Sequence, residues 1–311
     1  MKTEIMNKRN KMKRSRADVV FDVLNVAFTL IITLIIVYPL YFIIIASFSD
    51  PFSVYYGKVV FWPYGATLDA YINVLRYNEV WIGYRNTIFY TVCGTLYNIF
   101  LTIPAAYVLS KDNLPLKTPI TWFFFITMYF GGGMMPTYLL YKNMGLLNSP
   151  FALILGAGVS CYNLIVCRTY FTSSLPKELS EAATIDGASE FGFFFRIAVP
   201  LSSAIIAVMT LFYGVGHWNS YFNAMIYITK KPLYPLQLVL RNILILNQNA
   251  ATSADIIFTD PELIAEAARQ AYIANSMKYA LIMIATLPLM IAYPFVQKHF
   301  VTGVMIGSVK G

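Results

Sequence analysis

Six stretches of this chain each come close to the roughly 20 apolar residues that a helix needs to cross a hydrocarbon layer, and they constrain the fold more than any other feature. Their cores lie at 24–46, 87–109, 120–140, 151–171, 201–222 and 277–296. In lipid no water is present to satisfy backbone N–H and C=O groups, so isolated runs of this length form helices. The chain therefore reads as an all-α membrane protein with six transmembrane helices. A soluble reading fails on composition, because 58% of residues are hydrophobic and only 12% charged, with a mean hydropathy of +0.60.

The net charge of +8 does not point to nucleic acid. Seven of the 23 basic residues (Lys2, Lys8, Arg9, Lys11, Lys13, Arg14, Arg16) crowd the N-terminus ahead of the first apolar run, which is a topology signal. That run, from 21 to 47, is longer than the apolar region of a secretory signal peptide, so it is expected to be retained as a span. With an even number of spans both termini share a side. Lys111, Lys117, Arg168, Lys177, Arg196, Lys298 and Lys310 join the N-terminal seven on that side, fourteen in all against nine in the longer segments opposite, so both termini are expected in the cytoplasm. The expected divisions are a basic cytoplasmic N-terminus (1–18), a membrane domain (19–296) with a cytoplasmic loop at 172–200 and an external loop at 223–276, and a cytoplasmic tail (297–311). The third span is interrupted by Gly131, Gly132, Gly133 and Pro136. Broken helices at membrane depth survive where protein or a water-filled cavity satisfies the freed backbone, and a kink or close helix packing is the more ordinary outcome than a place in a transport pathway.

The loop at 172–200 carries the most local information. Pro176 suits a first helical turn, and Glu178 and Glu181 place negative charge near the positive end of the helix dipole. Leu179, Ala182, Ala183 and Asp186 follow at i, i+3, i+4 and i+7, a small and weakly apolar stripe. Gly187 breaks the helix. Ser189 is placed to cap a second one, in which Phe191, Phe194, Phe195 and Ala198 repeat the spacing before Pro200. Such an element lies on a membrane surface or inserts into a groove of another protein. Membrane-surface helices carry a strongly basic polar face, whereas here Lys177 and Arg196 stand against Glu178, Glu181, Asp186 and Glu190, so a protein groove fits better.

Glu181, Ala182, Ala183 and Gly187, with Ile197 and Pro200 at their set distances, match the EAA pattern of ABC importers, with Val199 where Leu is usual. The stretches MPTYLL (135–140), GLLN (145–148), WNSYF (218–222), YPLQLVLRNIL (234–244) and GVMIGSVKG (303–311) extend the likeness. The chain resembles carbohydrate-importing ABC permeases of the maltose-transporter type over nearly its whole length. The resemblance implies a type I importer permease fold in a bacterial cytoplasmic membrane. It also implies a second homologous permease, cytoplasmic ATPase subunits that bind ATP and Mg, an extracytoplasmic solute-binding protein, and a carbohydrate substrate, with an oligosaccharide favoured. By position, Glu181, Ala182, Ala183, Asp186, Gly187, Ile197 and Pro200 carry over as ATPase-coupling residues. No phosphate loop of the form G-x-x-x-x-G-K-[ST] occurs, so no cofactor is expected on this chain and its energy must come from a partner.

Chemistry of the chain's own is not indicated. Cys93, Cys161 and Cys167 fall within spans, and His217 and His299 are too few for a metal site, so no metal and no catalytic residue is expected. Ser160 with His217 is the one pair that an intramembrane hydrolase could use, and structural roles are far commoner. A stand-alone carrier would bury ionisable residues mid-span, and these spans hold almost none apart from Arg168. A permease for a non-sugar solute remains an alternative. Tyr213, Trp218, Asn219, Tyr221 and Asn223, near the outer end of the fifth span, are candidates to stack on and hydrogen-bond a sugar, although aromatics at that depth more often form the interfacial belt.

Overall fold

The structure is a computed structural model and describes residues 15–156, 158–245 and 277–294. Among these, regular structure is helical throughout. Helix α1 (Arg16–Ser47) opens with a capping box, in which the Ser15 hydroxyl accepts from the Ala17 N–H and Asp18 accepts from the Ser15 N–H. It is exposed at every residue from 15 to 40, so an apolar surface projects from the rest of the chain to meet lipid or another subunit. Two short helices, α2 (Pro51–Tyr55) and α3 (Asp69–Leu75), lead into α4 (Asn78–Ser110), the longest helix and the axis of the fold.

Lipid gives helices no hydrophobic reason to associate, so polar side chains and small residues hold spans together. Helix α4 shows how. Its Asn86 amide donates to the carbonyls of Pro232 (2.8 Å) and Tyr234 (3.0 Å), Thr87 accepts from the Leu236 N–H, and the Tyr90 hydroxyl donates to the Leu233 carbonyl. Further along, Asn98 meets His217 and Thr102 meets Tyr213, both at 2.7 Å, on α12 (Ser203–Trp218). At Gly94 a methyl group would lie 2.4 Å from the His217 ring, so glycine is what lets α12 approach α4 here.

The remaining spans are not simple rods. The third is α5 (Lys117–Tyr129) and α6 (Met134–Asn143), which meet at 110° across the glycine break. Gly133 adopts a positive φ of 85° to start α6, while methyl groups at Gly131 and Gly132 would touch nothing. Among the described residues, close packing does not call for those two glycines. The fourth segment is divided into α7 (Phe151–Leu155) and α8 (Cys161–Ser174). After α9 (Lys177–Ile185), α10 (Glu190–Phe193) runs through a π turn, Phe194–Ala198, into α11 (Val199–Leu201) and then bends by 77° into α12 (Ser203–Trp218). Pro200 lacks the N–H that would continue the ladder, and the Val199 N–H reaches back to Phe194, which together account for the wide turn and the bend. Pro200 thus lies inside a helical run, where the sequence placed the end of the loop.

Past α13 (Tyr221–Tyr227), a 3-10 turn (Lys231–Leu233) and α14 (Leu236–Ile245) pack on α4, burying Leu236, Leu238, Leu240 and Ile243. The external stretch expected from 223 is therefore a packed element as far as 245. Residues 246–276 and the tail lie outside the described residues. Helix α15 (Met277–Pro294) closes the fold, with its Ala285 carbonyl accepting from the Trp218 indole at 3.0 Å. Among the described residues, three helices are thus long and apolar enough to cross a membrane unbroken, and two more segments qualify as bent pairs.

Candidate functional site

Helix α9 begins one residue later than the sequence suggested, because Pro176 takes an extended conformation (ψ 140°) and serves as the cap residue rather than the first helical one. Its C-terminus is a Schellman motif: the Ala188 N–H donates to the Ala183 carbonyl at 2.9 Å and the Gly187 N–H to Thr184 at 3.0 Å. Gly187 has φ 77°, a left-handed conformation that glycine adopts freely and most other residues only with strain. Two residues on, the Ser189 hydroxyl accepts from the Gly192 N–H at 3.1 Å and caps α10. The elbow between the two helices is therefore encoded by three consecutive residues.

Polar contacts to Lys111, the cap residue of α4, tie both halves of this elbow to the rest of the protein. Its ammonium lies 3.3 Å from Glu190 of α10, donates to the Ser180 hydroxyl of α9 at 3.3 Å, and sits over the rings of Tyr107 (4.8 Å) and Phe193 (5.2 Å). The Tyr107 hydroxyl donates to the same Glu190 carboxylate at 3.2 Å. Partial burial works against the charge of Lys111, but the hydrogen bonds and charges of Tyr107 and Glu190 prevail and raise its pKa above the ordinary lysine value. Beside it Asp112 pairs with Lys177 and, at 3.3 Å, with Lys117, and those hydrogen bonds hold its carboxyl below the usual range.

The elbow has an inner and an outer face. Ala183, Phe193, Phe194 and Ala198 are buried against Tyr107, Phe171 and Leu164, with Leu179 and Ile197 partly covered. Ile185, Phe191 and Phe195 point outward, exposed by 86%, 79% and 63%, in company with Glu181, Ala182, Asp186 and Gly187. The two expected stripes are therefore each split. Ala182 and Asp186 turn away from Ala183, and Phe191 and Phe195 away from Phe194 and Ala198. Neighbouring positions on a helix stand about 100° apart, and the core claims only a narrow sector of each short helix.

A second feature lies between the helices. A cavity of about 420 Å³ is lined in part by Asn98, Ser160, Asn163, Tyr213, His217, Ser220 and Asn223, with Tyr141, Tyr227 and Thr137 and the apolar Ala152, Leu153 and Phe212 in the rest of its wall. The bend at the glycine break is what carries Thr137 and Tyr141 across to it. Among the described residues the Ser220 hydroxyl is buried without a partner. His217 is engaged with Asn98, and Ser160 caps α8 by accepting from the Asn163 N–H, so neither is set up as a base and nucleophile pair with the other. Among the described residues no group of acidic, histidine or cysteine side chains has the arrangement to hold a metal ion.

The family described as binding-protein-dependent transport system inner membrane component matches residues 80–306, more than half the chain. The chain belongs to this family. Among its relatives, Protein LplC of Bacillus subtilis (strain 168) is 40% identical over 302 residues, covering 96% of this chain and 98% of that protein. The polygalacturonan/rhamnogalacturonan transport system permease protein YtcP of the same organism is 37% identical, with 94% and 98% covered. A chain from the crystal structure of a bacterial ABC transporter involved in import of the acidic polysaccharide alginate superposes with a TM-score of 0.81 at 30% identity, covering 93% of this chain and 99% of that one. The all-α architecture is that of an ABC importer permease, an inner-membrane transport component.

Of the candidate path residues of this permease, Tyr213 and Asn223 line the cavity. Trp218 is buried and turned to Ala285, Asn219 pairs with Gln237 at 3.4 Å, and Tyr221 is exposed on α13. Sequence reasoning missed Asn98, Asn163 and Ser220, and used Lys111 only as a topology charge. The Tyr107 and Lys111 spacing of i and i+4 at a span end was visible in sequence. Glu190 as their partner was not.

Proposed function

We propose that this permease forms one half of a binding-protein-dependent importer for an oligosaccharide, and that the α9–α10 elbow is the surface on which a separate ATPase acts. The observation that carries the reading is the outer face of the elbow: three large apolar side chains are held out by a clamped, capped scaffold and edged by Glu181 and Asp186. An acidic edge disfavours an anionic membrane surface and suits a protein groove that supplies a cation for Glu181. In this reading Glu181, Ala182, Asp186 and Gly187 form the contact, while Ala183, Ile197 and Pro200 shape it from behind. Nucleotide closure in the ATPase pair, which carries the ATP and Mg, would move the elbow, and the Lys111 clamp would pass that motion to α4 and so to the cavity wall.

The names of the relatives support a carbohydrate cargo, and the cavity's hydroxyl, amide and aromatic lining suits pyranose hydroxyls and faces. A second permease would complete the path. Both termini are assigned to the cytoplasm, the segment 246–276 to the binding-protein side, and the tail 297–311 to the ATPase side. Photo-crosslinkers at Ile185 and Phe191 in the assembled importer test the central contact, with Tyr55 as control. Capture of the ATPase from 185 and 191 and not from 55 is the expected result. Capture of lipid alone from both would refute it.

A further inference from the structure

Arg168 has no part in the elbow or the cavity, yet it is a charge near the end of an otherwise apolar expected span, 151–171. Its Nε donates to the Leu109 carbonyl at 3.1 Å, which orients the guanidinium and leaves its terminal nitrogens directed elsewhere. It lines a groove of about 360 Å³ between α5 and α8, together with Lys117, Thr118, Thr121, Trp122 and Phe125. The lining of the groove holds two cations and no carboxylate. Lys117 shares Asp112 with Lys177, on which the charges of Glu181 and Glu178 also act, and among the described residues Arg168 has no ion pair.

The groove also sits at a chemical boundary. Helix α5 buries no residue, and Trp122, Phe123 and Ile126 present a continuous apolar surface running away from the groove. On its other side lie exposed Asp112 and Lys177. Tryptophan at such a boundary marks the headgroup level of a bilayer, and basic pockets between helices there take anionic headgroups.

We infer that this groove binds the phosphate of an anionic phospholipid from the leaflet on the side of the α9–α10 elbow. Arg168 and Lys117 hold the phosphate oxygens, the threonines border the headgroup, and the acyl chains run down Trp122 and Phe125 onto the face of α5. A free phosphate would use the cations but none of this apolar wall, which is why a lipid is the fitting occupant. The inference does not depend on the cargo or on the elbow's partner. The bound lipid would tie α5 to α8 at the end where Lys117 also touches Asp112.

The test uses the full chain co-purified with its partner subunits and stripped of lipid, with phosphatidylglycerol or phosphatidylcholine added back. Lipid binding is counted by native mass spectrometry and stabilisation by Tm. Phosphatidylglycerol should bind and raise Tm, phosphatidylcholine should do neither, and each of Lys117→Gln and Arg168→Gln should weaken phosphatidylglycerol binding by about fivefold. Because Arg168 also supports the Leu109 carbonyl, Lys117→Gln and Trp122→Ala serve as variants that leave that bond intact. Equal phosphatidylglycerol binding in wild type and variants overturns the inference. So does an equal Tm rise from inorganic phosphate at matched ionic strength, which would make it a soluble-anion site, or loss of the ATPase from Lys117→Gln with lipid binding unchanged, which would make the groove a protein contact.

Discussion

Replacing Lys111 with Met removes the ammonium but keeps an unbranched stem, so the α4 helix end stays packed while the clamp on the elbow opens. The loss can be summed from the contacts. The pair with Glu190 is partly exposed, with side chains 24% and 68% accessible, and such pairs contribute about 0.5 kcal/mol after screening. The contacts with the Tyr107 and Phe193 rings add about 0.5 kcal/mol each, and the Ser180 hydrogen bond about 0.5–1. The total of roughly 2 kcal/mol corresponds to about a 30-fold shift toward an undocked elbow. Helix α9 has nine residues, too few to persist alone in water, so undocking exposes its amides. Hydrogen exchange at Gly187, Ala188 and Gly192 should therefore accelerate by about 10- to 30-fold in Lys111→Met, while amides of α12 keep their protection. The charge swap Lys111→Glu with Glu190→Lys should recover part of the effect. Unchanged exchange at those three amides, or an equal acceleration along α12, would refute the clamp.

Gly187→Leu should cost about 1–2 kcal/mol through its left-handed backbone alone, since no atom stands near its Cβ. Gly187→Asn, which tolerates that conformation, should retain most of the stimulated ATPase activity, and equal loss in the two would mean that backbone strain is not the cause. Gly94→Ala should lower Tm by overpacking against His217, at a cost of about 1–3 kcal/mol, and a second change, His217→Ala, should restore it; an unaltered Tm in the single variant would contradict the close approach of α4 and α12. The elbow's ion pairs should be indifferent to pH over a wide range. Lys111, raised, contributes fully below its ordinary value of 10.5 and is lost only as pH rises through the raised one, while Asp112, lowered, contributes fully above 3.8 and is lost as pH falls through the lowered one. Exchange at the elbow, corrected for intrinsic rates, should thus be flat between those values, and a step near neutrality would point to another group.

Much of this was legible in sequence because it is local. Apolar runs announce the helices, Gly187 and Ser189 announce the elbow, and the glycine run at 131–133 announces a break. What the break is for was not legible. It serves to bring α6 across to the cavity, and that depends on α7 and α12 being where they are. The stripes in α9 and α10 misled because periodicity tells which residues share a face without telling how wide a sector the core will cover. The cavity itself rests on contacts such as Asn98 with His217, 119 residues apart, for which no local pattern exists. Trp218 is buried with its indole donating to the Ala285 carbonyl of α15, the last helix described, a partner that no local pattern announces.

The central claim is that Ile185 and Phe191 seat the permease on its ATPase. The most direct measurement is binding-protein-stimulated ATP hydrolysis and sugar uptake in proteoliposomes holding the importer with Ile185→Asp and Phe191→Asp together, alongside co-purification of its subunits. Both side chains are exposed, so the fold should survive and the second permease should stay bound, while the ATPase dissociates or loses its stimulation and uptake falls to background. Full stimulation and full uptake in the double variant, with the ATPase still attached, would contradict the account.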